Sequence, residues 1–154
     1  MLCAHVHRSA GYWPREAADA VTLDFEGRHR RRARITTDNG EDILIELEHA
    51  IPMADGDGLL LEDGRWIEVR AAPEQVLEIR HQDIKALLRM AWHLGNRHVP
   101  TDIRPDALRV RADHIAEEML RGFHANLERV LTAFQPEGGA YSHYHFSDGG
   151  QSHG

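Results

Sequence analysis

Ala71-Ala72-Pro73-Glu74-Gln75-Val76-Leu77-Glu78-Ile79-Arg80, followed by Ile84-Lys85-Ala86-Leu87-Leu88-Arg89-Met90-Ala91-Trp92-His93-Leu94-Gly95, holds the change of period that decides the fold. Pro73 disfavours helix at the residue before it and marks a boundary. Residues 75–80 read as a strand. Ile84, Leu87, Leu88, Ala91 and Leu94 then recur at i, i+3, i+4, i+7 and i+10, the spacing of one face of an amphipathic helix. Gly95 follows the last periodic residue, where a left-handed C-terminal cap is wanted.

Downstream, Val99-Pro100-Thr101-Asp102-Ile103 fits only an edge strand, because Pro100 donates no hydrogen bond. Arg104-Pro105-Asp106-Ala107 is a turn, and Leu108-Arg109-Val110 returns. Asp113 is placed to cap a second helix with Ile115, Met119 and Phe123 on one side. A last strand runs over 127–134. The order β-α-β-β-α-β over 72–135 is the split βαβ, ferredoxin-like arrangement. From 136 to 154 the chain is a His-containing tail of Gly, Ser, His and Asp with little to bury, so it is expected to be flexible when free.

Upstream, the period is two. Val21-Thr22-Leu23-Asp24-Phe25 alternates, as does Ile43-Leu44-Ile45-Glu46-Leu47, and Asp38-Asn39-Gly40 is a hairpin signal between Arg34-Ile35-Thr36-Thr37 and the latter. Leu59-Leu60-Leu61 and Trp66-Ile67-Glu68-Val69 flank the turn Glu62-Asp63-Gly64-Arg65. No helical period precedes residue 75. Residues 15–71 are therefore expected to form a small all-β domain, with 1–14 as an N-terminal extension. The fold class is α+β.

Composition narrows the function. There is no run of ~18 apolar residues, no signal-peptide pattern at Met1-Leu2-Cys3-Ala4-His5-Val6-His7, and one cysteine, Cys3, which excludes an intrachain disulfide. These features point to the cytoplasm, without membrane attachment. The net charge of -7 opposes general nucleic-acid binding. Histidine is abundant, with 12 residues, and neutral imidazole ligates nickel, copper and zinc.

The segment His93-Leu94-Gly95-Asn96-Arg97-His98-Val99-Pro100 is the most informative. His98 falls just beyond a helix end, between Gly95 and Pro100, where a stiff frame presents its side chain. It is either a metal ligand or the partner of a local hydrogen bond. His93, in the last turn, suits the negative end of the helix dipole.

His-Leu-Gly-Asn-Arg-His closely resembles the signature of the urease accessory nickel chaperones, the UreE family. Supporting segments include Arg28-His29-Arg30-Arg31-Arg32, Asp55-Gly56-Asp57-Gly58-Leu59-Leu60-Leu61-Glu62-Asp63-Gly64, Val69-Arg70-Ala71-Ala72-Pro73-Glu74, Asp113-His114 with Met119-Leu120, and Phe134-Gln135-Pro136-Glu137-Gly138-Gly139-Ala140-Tyr141. The resemblance implies a peptide-binding-like β domain, a ferredoxin-like metal-binding domain and a head-to-head homodimer; the sequence leaves dimer against metal-bridged tetramer open. His98 is then the principal nickel(II) ligand, with zinc(II) or copper(II) as alternatives at the same site. A two-fold interface sets a near-axis residue opposite its own copy, so each protomer supplies one imidazole. The implied partners are the urease accessory GTPase and apo-urease.

The tail histidines His143, His145 and His153 are a second candidate group, able to complete the coordination of a His98 pair. His114 opens the second helix where the family often carries a His-x-His pair, but here Ala112 takes the first position. His124 reads as a solvated helix end. His5 and His7, with Cys3 and the α-amino group, read as incidental. The run from Arg28 to Arg34 reads as a solvated face, ahead of docking on an acidic partner. Asp55, Asp57, Glu62 and Asp63 lack the spacing of an EF-hand and suit tight turns. Two other functions compete with a metallochaperone: a metal-dependent hydrolase, for which Asp102 is the nearest carboxylate in sequence, and a nickel-responsive DNA-binding regulator.

Overall fold

A computed structural model describes residues 1–138, and it divides into two compact units, Met1–Ala72 and a second beginning at Pro73. Among the described residues no helix is long and apolar enough to cross a membrane.

The first unit is built on six strands: β1 (Leu2–Arg8), β2 (Ala17–Leu23), β3 (Arg32–Thr36), β4 (Asp42–Glu46), β5 (Gly58–Leu61) and β6 (Trp66–Ala71). They form one sheet in the order β2-β6-β5-β1-β4-β3, parallel at β1–β4 and β2–β6 and antiparallel elsewhere. Alternation explains the core. Ile43, Ile45 and Leu47 face inward with Leu59, Leu61, Ile67 and Val69, joined by Ala4, Val21 and Met53. Each of these side chains other than Ala4 contributes roughly 1.5–3 kcal/mol on burial. The expected Asp38-Asn39-Gly40 turn closes the β3–β4 hairpin, with Gly40 at φ +96° and its N–H on the Thr37 carbonyl.

Two expectations fail here. Residues 1–14 are not an extension: β1 lies inside the sheet between β5 and β4, and Trp13 is buried, stacked on Trp66 and donating Nε1–H to the Gly56 carbonyl. Its ring lies so close to Gly58 that a Cβ there would come within 2.6 Å. The alternation of Leu2, Ala4 and Val6 with Cys3, His5 and His7 is the local signal of this strand. Second, Phe25 does not continue a strand. Asp24 accepts the Gly27 N–H at 2.8 Å and caps a one-turn helix, α1 (Phe25–Arg28), a local competition that Asp side chains often win.

The basic run has structural work within this unit. Arg28 is buried and donates to the Leu23 carbonyl, while Arg32 and Arg34 reach across the hairpin to Glu46 and Asp42. The acidic turn residues are likewise committed. Asp63 accepts from Arg65, and Asp55 accepts the Ala71 N–H. Asp57 is buried and accepts from the His7 ring at 2.7 Å and from the Ala10 and Ala54 N–H groups, each at 2.9 Å.

The second unit runs β7 (Pro73–Arg80), α2 (Ile84–Asn96), β8 (Asp102–Arg104), β9 (Ala107–Arg111), α3 (His114–Arg121) and β10 (Asn126–Ala133). Its antiparallel sheet has the order β10-β7-β9-β8, so the first strand lies between the last and the third. Leu77, Ile79, Leu108 and Val110 from the sheet pack with Leu87, Met90 and Leu94 of α2 and Leu120 of α3. On β7, burial alone would raise the Glu78 carboxyl. The guanidinium groups of Arg109 and Arg80 at 2.9 Å outweigh that and hold it below the usual carboxylate range.

The inward face of α2 differs from the expected one. Ile84 and Leu88 are over 60% exposed, and Met90 takes the buried position instead. On α3 the buried side chains are Ala116 and Leu120, while Met119 and Phe123, the latter beyond the helix end at Arg121, pack partly buried against the same core.

Asp57 gives the first prediction. Burial would push its carboxyl up, but the hydrogen bonds from His7, Ala54 and Ala10 prevail and hold it below the ordinary value. Its stabilising effect is therefore present above the unfolded carboxylate pKa of about 3.9 and is lost as pH falls through the lower folded value. Asp57→Asn should cost about 1–3 kcal/mol at pH 7 and show a shallower loss between neutral and acid pH, read by urea unfolding. Wild-type stability at neutral pH would contradict this role.

Candidate metal centre

The end of α2 is the structural origin of the site. Asp83 opens the helix by accepting the Lys85 N–H at 3.0 Å. At the other end Gly95 is not the left-handed residue: it lies within the helix, and Arg97 at φ -94° is the C-cap. The left-handed position is His98 itself, at φ +57°. The Val99 N–H donates to the Leu94 carbonyl and the His98 N–H to the Gly95 carbonyl, both at 3.0 Å. That pair of bonds is the Schellman closure, with His98 where glycine is commonest. Val99 packs against the cluster that contains Leu94, the apolar contact that usually accompanies this motif.

A side chain in this conformation is strained, by about 1 kcal/mol or more, and such residues gather at functional sites. His98 is also exposed. Beyond it the Thr101 hydroxyl donates to the Val99 carbonyl at 2.9 Å and stiffens the turn. A cleft of about 460 Å³ opens beside the imidazole, lined also by Glu74, Pro100, Arg111, Ala112 and Asp113. Glu74 and Asp113 near His98 were not evident in sequence, because they arrive from β7 and from the start of α3.

The other candidates separate clearly. His93 packs its ring against Trp92 and Phe123, at centroid distances of 5.0 and 5.4 Å, while Arg97 donates to its carbonyl. His114 is exposed at the first residue of α3 and is not part of the cleft lining. His124, exposed at φ +57°, follows α3. His143, His145 and His153 lie outside the described residues. Asp102 is buried and bound to Arg104 at 2.9 Å and to the Gln135 N–H at 3.1 Å, so it is not placed as a base for hydrolysis at His98.

Among the described residues, no group of three or more ligand side chains converges at His98; the group that does converge is Cys3, His5 and Glu62. The alternation of Cys3 and His5 was a usable signal, whereas the approach of Glu62 depends on strand pairing distant in sequence. Among the described residues His98 is therefore a single exposed imidazole, a poor site alone.

Comparison with known proteins follows the same division. A model of the UreE urease accessory protein N-terminal domain matches residues 3–72, and one of its C-terminal domain matches residues 74–154. The chain is 52% identical over 134 residues to the urease accessory protein UreE of Rhodopseudomonas palustris strain HaA2, covering 87% of this chain and 62% of that protein. It is 52% identical over 136 residues to the UreE of Bradyrhizobium sp. strain ORS 278 (86% and 65%), and 47% identical over 137 residues to that of Chelativorans sp. strain BNC1 (89% and 86%). The chain thus spans somewhat under two thirds of the first two relatives.

The backbone at His98 can be tested without metal. His98→Gly relieves the left-handed strain but adds unfolded-state entropy of about 0.5–1 kcal/mol, so it should match or exceed wild type. His98→Val, β-branched at positive φ, should lose about 1–2 kcal/mol. Thermal unfolding reads this order. A glycine variant clearly less stable than wild type would contradict the assigned geometry.

Proposed function

Because this chain belongs to the UreE urease accessory protein family, we propose that it carries nickel(II) for assembly of the urease metallocentre, held between two copies of the chain by His98 of each. The family is one of accessory proteins, not of enzymes. The observation that carries the reading is His98 itself: an exposed imidazole fixed by strained backbone at a position that glycine would fill more easily.

The second unit is read as the ferredoxin-like split βαβ, and its strand order supports that. A homodimer is supported by the exposed face of α2. Ile84, Leu88 and Trp92, at i, i+4 and i+8, form an apolar stripe running towards the helix end that bears His98. Soluble surfaces rarely leave contiguous apolar area uncovered, so a second copy is the proposed cover. An isologous contact there would bring two His98 side chains towards a common axis. A pair of such dimers sharing metal gives the tetramer.

Two imidazoles leave further nickel positions for water or other ligands, which suits release to a recipient. The proposed additional ligands are His143 and His145, with His153 and His114 behind them. Their approach is supported by the exit of the chain: the Glu137 N–H donates to the Thr101 carbonyl at 2.8 Å, close in sequence to His98. The stretch from residue 137 to residue 143 can span roughly 20 Å. Zinc(II) or copper(II) would compete for the same nitrogens. The proposed recipients are the urease accessory GTPase and apo-urease, in the cytoplasm.

Calorimetric nickel titration, with light scattering, tests this on wild type, His98→Ala and a chain ending at Ala140. His98→Ala should lose tight binding and nickel-dependent assembly, and the shortened chain should bind several-fold more weakly. Unchanged affinity and stoichiometry in His98→Ala would sink the proposal; an unchanged shortened chain would remove the tail histidines from it.

A further inference from the structure

The first unit carries a convergence of donors that the role of His98 does not use. Cys3 and His5 lie two residues apart on β1, so both side chains stand on the same face of the sheet, opposite Leu2 and Ala4, which pack into the core. Glu62 follows β5 directly. The antiparallel register that pairs Ala4 with Leu61 sets Glu62 beside Cys3. Two hydrogen bonds fix it there, from the Glu62 N–H to the Cys3 carbonyl and from the Cys3 N–H to Glu62 Oε1, both at 3.0 Å. The register slips between Ala4 and Val6, which makes His5 the extra residue of a bulge. Bulges re-aim side chains in this way.

We propose that Cys3 Sγ, a His5 ring nitrogen and a Glu62 carboxylate oxygen bind one zinc(II) ion, with water in the remaining position. All three donors lie within 4.8 Å of one another. On one tetrahedral ion such donors stand roughly 3.3–3.6 Å apart, given metal–ligand distances of about 2.0–2.3 Å. Closing the remaining ångström needs only small rotations of the His5 and Glu62 side chains, both of which are exposed to solvent.

A second observation points the same way. His5 Nδ1 lies 3.1 Å from the Glu46 carbonyl oxygen. A carbonyl only accepts, so this contact puts the proton on Nδ1 and leaves the lone pair on Nε2 as the donor to the proposed ion. Ligand histidines are typically oriented by a backbone carbonyl in this manner. His7, by contrast, is taken up by Asp57 and is not a ligand. Once the thiol gives up its proton on binding, thiolate and carboxylate together balance the 2+ ion. A thiolate, an imidazole and a carboxylate with one open position select a borderline ion such as zinc over magnesium or calcium. The site lies wholly in the first unit and does not rest on the nickel-carrier reading.

The test uses the complete chain with His98→Ala, which silences the proposed second-unit site. Cobalt(II), a spectroscopic substitute for zinc, should give a thiolate-to-metal charge-transfer band that saturates at one equivalent per chain and is displaced by zinc. Cys3→Ser should abolish the band, and His5→Ala and Glu62→Gln should each weaken cobalt affinity by about tenfold or more. Should a variant fail to fold, the chain with native β1 still reports. Zinc should slow alkylation of Cys3, since a bound thiolate is a poor nucleophile. No charge-transfer band, affinity unmoved in His5→Ala and Glu62→Gln, or alkylation at equal rates with and without zinc would each overturn the site.

Discussion

The left-handed turn that closes α2 is the constraint on which the presentation of His98 depends. Leu94 must stay in the core, and its carbonyl must find a donor once the helix stops. The Val99 N–H provides it only if the residue before Val99 adopts positive φ. With histidine there, closure of the helix and presentation of the imidazole become one event. Packing of Leu94 and Val99 holds the backbone, and the backbone sets where the ring starts. On the proposed reading, strain at His98 is the cost of placing a ligand on a rigid element instead of a loose loop.

The same economy appears at the apolar stripe of α2. The helix divides its hydrophobic residues between two faces, with Leu87, Met90 and Leu94 turned inward and Ile84, Leu88 and Trp92 outward. A helix that only served its own core would carry polar residues on the outer side. An outer stripe running towards the exposed His98 imidazole suits the proposed assembly, in which a twin completes the site.

These features were unevenly legible in sequence. The hairpin at Asp38-Asn39-Gly40, the period change after Pro73 and the position of His98 past a helix end all follow from local chemistry, and each has a counterpart in the structure. The identity of the left-handed residue did not follow, because Gly95 is the better residue by propensity and tertiary packing of Leu94 and Val99 moved the cap three residues on. Periodicity places Ile84 and Leu88 on the inward face because it marks apolar positions without saying which neighbour covers them. β1 is legible in the alternation of Leu2, Ala4 and Val6 with Cys3, His5 and His7, which the assignment of residues 1–14 to an extension overlooks. Glu62 beside Cys3 and His5, and Glu74 and Asp113 beside His98, depend on strand pairing and helix placement that no local pattern encodes.

Coordination created by assembly can be measured most directly by X-ray absorption at the nickel edge, on protein whose mass is determined in the same solution. One nickel per two chains, with at least two imidazole rings in its first shell, is the expected result. Nickel bound one per chain to a monomer, or a first shell without paired imidazoles, would contradict it.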